Sequence, residues 1–176
     1  AEGGAPLTLT VLYPDAVVDG PLEISTRLLR RGSRLQFWRA ELSQRDRLRA
    51  HAQVTFGVRR ETTRFTDAAF PEAPPPETEG LIESTPPATF GGRFSMRWVT
   101  QSPLLGRQEG PARSLVWVRD IEGRSMDAVL LAMLADLAPP RVMFKAGHFM
   151  ASSTVSMTVH FHATAEEMAA VGGGYV

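Results

Sequence analysis

The clearest pattern in the chain is the alternation of apolar and polar residues along its first third. Between residues 47 and 56 the alternation is complete, which indicates a β-strand with one buried face and one solvated face. The apolar positions are Leu48, Ala50, Ala52, Val54 and Phe56, and the polar positions are Arg47, Arg49, His51, Gln53 and Thr55. Similar patterns predict strands at residues 7–13, 22–29 and 35–42, separated by turn-forming residues. The first block of the chain is therefore predicted to be a β meander.

A different spacing appears after residue 125, where apolar residues recur every three or four positions. They are Met126, Val129, Leu130, Met133, Leu134 and Leu137. This spacing predicts a helix over residues 125–138. Ser125 is its predicted N-cap, and Pro139 and Pro140 end it because a proline nitrogen cannot donate a hydrogen bond. Strands are predicted around this helix at residues 94–98, 114–119 and 154–162.

Between the two blocks lies a segment rich in proline, glutamate, threonine and serine. Residues 70–88 contain Pro71, Pro74, Pro75, Pro76, Pro86 and Pro87. This composition is typical of an extended linker that buries little surface. We therefore predict a first domain over residues 1–69, a linker over residues 70–88 and a second domain over residues 89–176.

One acidic residue, Asp136, stands near the end of the predicted helix. At about 100° per residue it lies close to the angular position of Val129, on the border of the apolar stripe, so its carboxylate is expected to be partly buried. Burial and the helix dipole both oppose the ionised carboxylate, which predicts a raised pKa and a candidate general base. The alternative interpretation is structural, with Asp136 capping a backbone amide in the turn at Pro139 and Pro140.

Composition narrows the classes of function. The chain has 176 residues, a net charge of +0 and no cysteine, which excludes disulfides, thiolate metal sites and a cysteine nucleophile. No apolar run is long enough to cross a membrane, and residues 1–6 have no basic region followed by an apolar segment. These features predict a cytoplasmic protein.

Two segments of the chain resemble each other. Residues 7–13 and residues 155–161 share their apolar positions, and Thr10 corresponds to Thr158. If the two blocks are copies of one unit, the first copy lacks its helix and the second copy lacks its last strands. The fold is therefore expected to be incomplete at both ends of this chain.

Several motifs resemble the type II acyl-CoA thioesterases. They are Trp117-Val118-Arg119-Asp120 before a glycine turn, Leu134-Ala135-Asp136-Leu137-Ala138-Pro139-Pro140 at the helix end, and Thr158-Val159-His160-Phe161-His162. Arg30-Arg31-Gly32, Phe37-Trp38 and residues 52–57 resemble the sheet of the first domain in that family. The resemblance implies an α+β protein with a double hotdog fold, in which two antiparallel sheets each wrap around a helix.

The resemblance also implies a function and site residues. The substrate would be an acyl-CoA, the catalytic acid would be Asp136 and the catalytic hydroxyl would be Thr154. The family's glutamine lies on a final strand and is expected to have no counterpart, because the chain stops at Val176. Gln53 lies on the corresponding strand of the first copy but one residue out of phase, and a shift of one residue turns a side chain to the other face. Met133, Leu137 and Met143 would line the acyl chain, although such residues are more often plain core. No cofactor or metal is implied, and the family expectation is a homo-oligomer, either a dimer or a tetramer.

Other residue patterns suggest alternatives. A hotdog protein with an incomplete site could bind acyl groups or serve as an assembly module without hydrolysing them. Arginines crowd the first meander, which makes an Arg-rich nucleic-acid module an alternative, but no RNA-binding motif accompanies them and we expect no nucleic-acid partner. His160 and His162 have the spacing of two metal ligands without a recognisable third. His148 could serve a hotdog dehydratase, but Asp136 fits the thioesterase better.

Overall fold

The computed structural model describes residues 4–84, 90–100, 111–148 and 150–176, so the end of the predicted linker lies outside the described residues. Within these ranges the chain forms eight strands and three α-helices. The strands are β1 (Ala5–Leu12), β2 (Glu23–Arg31), β3 (Leu35–Gln44), β4 (Arg47–Gly57), β5 (Ile82–Ser84), β6 (Phe94–Trp98), β7 (Val116–Asp120) and β8 (Ser156–His160). The helices are α1 (Ala128–Ala135), α2 (Arg141–Ala146) and α3 (Ala165–Val171), and a short 3₁₀ helix covers Phe90–Arg93. Together they form two antiparallel sheets, which confirms the predicted α+β class.

Strands cluster into two compact units. One unit contains residues 1–63 and 153–165, and the other contains residues 64–152 and 166–176. The first unit holds a five-stranded sheet in the order β2-β3-β4-β1-β8, and the second holds a three-stranded sheet in the order β5-β6-β7. The strand predicted at residues 154–162 was expected beside the helix of the second domain, whereas in the structure this strand, β8, pairs with β1.

The two similar segments meet in the centre of this pairing. Thr10 lies opposite Thr158, and their hydroxyl oxygens are 3.1 Å apart. On either side, Leu9 faces Val159 and Val11 faces Met157. The similarity detected in the sequence therefore corresponds to two neighbouring strands that run in opposite directions.

The face of β4 that is predicted to be solvated is partly buried. Arg49 lies on the polar side of the strand, yet its side chain is only 8% exposed and forms an ion pair with Asp15 at 2.6 Å. Gln44, at the end of β3, accepts a hydrogen bond from Val18 N–H and donates one to Val18 C=O. The loop between β1 and β2 therefore covers this end of the sheet, an arrangement that strand alternation does not predict.

The second unit has its core on one face of the smaller sheet. Phe94, Met96 and Trp98 alternate along β6 and are almost completely buried, because every second side chain of a strand points to the same face. Trp98 contacts Phe144 of α2, with ring centroids 6.2 Å apart. Other buried apolar side chains of this unit are Val118, Met126, Leu130, Met143 and Met168.

Helix α1 is shorter than predicted and has a different cap. Asp127, not Ser125, is the N-cap, and its carboxylate accepts a hydrogen bond from Leu130 N–H at 2.7 Å. An aspartate satisfies this free N–H and also interacts favourably with the positive end of the helix dipole. Helix α2 was not predicted; it ends at Gly147, which adopts the left-handed conformation that glycine permits without strain. No helix among the described residues is both long and apolar enough to span a membrane.

Candidate active site

Asp136 is the C-cap residue of α1. Its backbone has φ −95° and ψ 0°, and its N–H donates to Met133 C=O at 3.2 Å. Asp136 is exposed, and Val129, at nearly the same angle on the helix, is 68% exposed. The predicted partial burial of Asp136 is therefore wrong, because the helix turns Leu130 rather than Val129 into the core. Burial gives no argument for a general base here, and the case for Asp136 rests on its position and its access to water.

The chain after Asp136 is anchored by Arg141, the first residue of α2. Its guanidinium donates to Ser114 Oγ at 2.6 Å and to Ala112 C=O at 3.4 Å. It also lies 4.7 Å from the centre of the Phe144 ring, within the range of a cation–π interaction. These contacts fix the start of α2 on the segment before β7, and so restrict the short loop that follows Asp136.

The chain before α1 is anchored by Asp120, the last residue of β7. Its side chain is 1% exposed and accepts hydrogen bonds from the Arg124 guanidinium at 2.7 Å and from Arg124 N–H at 3.1 Å. The guanidinium bond, followed by other contacts, lowers the pKa of Asp120 below its ordinary value, although burial acts in the opposite direction. This ion pair was not predicted from the sequence. The local signal was an aspartate directly before the turn at Gly123.

Thr154 lies just before β8, and it is exposed. The next residue, Val155, accepts a hydrogen bond from Tyr13 N–H at 3.0 Å, which holds this backbone beside the end of β1. Thr154 belongs to the unit of the five-stranded sheet, and Asp136 belongs to the other unit. The pairing of these two residues in one site stays a prediction.

The three residues predicted to line the acyl chain all belong to the unit that contains α1. Met143 is 4% exposed on α2, and Met133 and Leu137 are half-buried at the end of α1. Their burial agrees equally with an acyl-binding wall and with plain core. Their role in binding therefore stays a prediction.

The structure adds little support for the metal-binding, dehydratase and nucleic-acid alternatives. His160 and His162 stack with ring centroids 6.4 Å apart, but no group of three or more potential metal ligands occurs in the described parts of the chain. His148 is exposed after α2. In the Arg-rich meander, Arg47 and Arg49 both form ion pairs with Asp15, so part of the positive charge is neutralised locally.

Comparison with protein families identifies both parts of the chain. Residues 65–175 match the acyl-CoA thioesterase C-terminal domain, and residues 1–57 match the acyl-CoA thioesterase N-terminal domain. The chain belongs to the acyl-CoA thioesterase family. This result confirms the resemblance noted in the sequence. A search of curated proteins gave no match.

Solved structures of similar proteins support the fold of this acyl-CoA thioesterase family member. A conserved protein of unknown function with a hot dog fold from Alicyclobacillus acidocaldarius is 28% identical, with a TM-score of 0.87 over 98% of this chain and 64% of that one. The tesB protein of Mycobacterium avium subs paratuberculosis is 23% identical, with a TM-score of 0.68 over 94% of this chain and 64% of that one. The acyl-CoA thioesterase II TesB2 of Mycobacterium marinum is 18% identical, with a TM-score of 0.53 over 76% of this chain and 49% of that one.

These comparisons confirm the predicted hotdog fold. This chain spans 64% of the length of each of the first two structures.

Proposed function

We propose that the protein hydrolyses the thioester bond of fatty acyl-CoA, releasing a free fatty acid and coenzyme A. The observation that carries this proposal is the match of residues 65–175, which include Asp136, to the C-terminal domain of acyl-CoA thioesterases. The domain names support the reaction class, and the apolar residues around the end of α1 are suited to a fatty acyl chain. Met133, Leu137 and Met143 are the residues that we assign to it.

The reaction needs a nucleophile, a base and a leaving group. The oxygen of a water molecule attacks the carbonyl carbon of the thioester, a C–O bond forms, and the C–S bond breaks. Asp136 accepts the proton of that water and then returns it to the departing thiolate of coenzyme A. The exposed position of Asp136 favours this role because water must reach the carboxylate. Thr154 would orient the water or the thioester through its hydroxyl group.

Thiol release from acyl-CoA substrates tests the reaction. The full chain is expected to release coenzyme A from at least one chain length, and Asp136→Asn is expected to lower kcat/KM by about 100- to 10,000-fold, the usual contribution of a general base. Asp67→Asn is a matched control, since Asp67 is an exposed aspartate that lies outside the helices and strands, and it should keep wild-type kcat/KM. Thr154→Val tests the hydroxyl group separately.

Two outcomes would contradict the proposal. Binding of acyl-CoA without thiol release at any chain length would favour the incomplete hotdog protein instead. An Asp136→Asn variant as active as Asp67→Asn would remove Asp136 from the mechanism. The cytoplasmic location and the dimeric or tetrameric state belong to the same proposal, and cell fractionation and light scattering test them.

A further inference from the structure

The smaller sheet has a second face, opposite to its buried core. Glu83 of β5, Arg97 of β6 and Trp117 of β7 form one cross-strand row on this face, and Ser95 and Arg119 form the next. We call these five residues the Trp117 face. Residues paired directly across an antiparallel sheet project to the same side, so the Trp117 indole and the Arg97 guanidinium stand next to each other.

A proline-rich part of the chain lies on the Trp117 face. Trp117 Nε1–H donates to Pro74 C=O at 2.8 Å, and the Arg97 guanidinium donates to Pro76 C=O. Pro74 and Pro76 are half-buried while Pro75 between them is exposed, and a turn closed by Thr78 N–H and Pro75 C=O follows directly. The composition of residues 70–88 predicted a segment that buries little, and this part of it is an exception.

The hydrogen-bonding chemistry of the two partners is complementary. Residues 74–76 are three consecutive prolines, so their backbone offers three carbonyl acceptors and no N–H donor. The indole and the guanidinium are donors only. The two donors satisfy the carbonyls of Pro74 and Pro76, and Pro75 C=O accepts a hydrogen bond from Thr78 N–H at 3.0 Å. An ordinary segment would instead leave its own N–H groups facing the two donors. A proline run is also largely ordered before it binds, which lowers the entropy lost on docking.

The donor Arg97 is held in place by its neighbours. Its guanidinium lies 3.8 Å from the Glu83 carboxylate and 5.9 Å from the centre of the Tyr175 ring. Tyr175 is itself fixed, because its hydroxyl is 2.9 Å from Ser95 Oγ and its ring lies 4.8 Å from the Arg119 guanidinium. These contacts pre-organise the face for a ligand.

We propose that the Trp117 face is a recognition surface for proline-rich peptide segments, and that residues 71–76 of the same chain occupy it. The surface is separate from the proposed thioesterase chemistry, since it uses neither Asp136 nor Thr154. A proline-rich segment of another polypeptide competes with residues 71–76 for the two donors. The surface is thus an interaction site that its own linker keeps closed.

A labelled peptide with the sequence of residues 70–79 tests this proposal by fluorescence anisotropy. The protein is the full chain in which Pro74, Pro75 and Pro76 are replaced by glycine, which weakens the internal competitor. This opened variant is expected to bind the peptide about tenfold more tightly than the wild type, because a competing segment reduces apparent affinity by the fraction of sites it fills. A peptide with alanine at all four proline positions is expected to bind at least about tenfold more weakly.

Two substitutions in the opened variant separate the Trp117 face from general stickiness. Trp117→Phe keeps an aromatic ring but removes the donor, and it should abolish saturable binding. Trp38→Phe is the matched control, because the Trp38 indole donates to Gln36 within the other sheet, and it should leave binding unchanged. Equal binding by these two variants would overturn the proposal, as would a folded opened variant that shows no saturable binding.

If the opened variant does not fold, hydrogen exchange of the wild-type indole groups gives an independent answer. The Trp117 indole proton should exchange at least about tenfold more slowly than that of free tryptophan, because Pro74 C=O holds it. The buried Trp98 indole, which donates to Ser84 Oγ at 2.9 Å, is the internal reference. Exchange of Trp117 at the rate of free tryptophan would overturn the proposal.

Discussion

Replacement of Leu130 by alanine is the most direct test of how α1 packs. Leu130 is 4% exposed, and the substitution removes three carbon atoms from the core of its unit. At about 0.8 kcal/mol for each buried methylene-sized group the transfer contribution is about 2.4 kcal/mol, and the remaining cavity raises the expected loss to roughly 3–4 kcal/mol. For a chain of this size the loss corresponds to a decrease of about 6–16 °C in Tm.

The neighbouring residue is the matched control. Val129 is 68% exposed, so Val129→Ala removes little buried surface. The better helix propensity of alanine offsets the small loss by roughly 0.5 kcal/mol, and the expected net change in unfolding free energy is close to zero. Both substitutions lie in the same helix, so unfolding of the two compact units in one transition would affect both variants alike.

Urea unfolding followed by circular dichroism measures the difference between these two variants. The expected gap in unfolding free energy is about 3 kcal/mol, with Leu130→Ala the less stable. A loss in Val129→Ala that comes within about 1 kcal/mol of the loss in Leu130→Ala would refute the assigned face of α1. It would also reopen the question of whether Asp136 is buried, since Asp136 shares the angular position of Val129.

Two further predictions concern the segments around α1. The pKa of Asp120 is lowered in the folded state, so the unfolded chain binds a proton at this carboxyl group more readily. The ionised Asp120 therefore stabilises the fold fully above its ordinary pKa of 3.8. This contribution is lost as the pH falls through the lower pKa of the folded state. Asp120→Asn should therefore reduce the urea midpoint at pH 7 but much less at pH 2, and an equal reduction at both pH values would contradict the ion pair. A Cβ atom on Gly173 would lie 2.3 Å from Gly123 O, whereas a Cβ atom on Gly174 meets nothing closer than 3.6 Å. Gly173→Ala should cost about 1–3 kcal/mol in a thermal melt and Gly174→Ala almost nothing, and similar Tm values for both variants would argue against this close backbone contact.

The sequence predicted the positions of the strands and of α1 better than it predicted which of their side chains are buried. The spacing of apolar residues located α1, but Val129 and Leu130 both belong to the apolar set. Only the packing of the folded unit decides which of them is buried. Periodicity gives the direction of a stripe to within about one residue, or 100°. The error for Asp136 has the same origin.

Specific side-chain contacts were not predictable from local patterns, whether their partners are near or far in the sequence. Asp120 is a strand-end aspartate in the sequence, and in the structure its buried carboxylate pairs with the guanidinium of Arg124, four residues later. The composition of residues 70–88 predicted an extended linker, but composition does not indicate which backbone carbonyls accept hydrogen bonds. The bond from Trp117 to Pro74 therefore had no signal in the sequence. The sequence did contain a signal that relates β1 to β8, because the two segments are similar to each other.

The register of β1 and β8 has a consequence for how such a chain can arise. The similarity of the two segments makes Leu9 equivalent to Met157 and Val11 equivalent to Val159. Exchanging the two strands therefore turns the pair Leu9–Val159 into the pair Met157–Val11, and this second pair is also present. Two identical strands arranged around a twofold axis have this property. A shorter protein with one copy of the strand could thus form the same junction as a homodimer, with an amount of assembled sheet that depends on protein concentration. Joining both copies in one polypeptide makes the junction intramolecular, so it forms equally well in dilute solution.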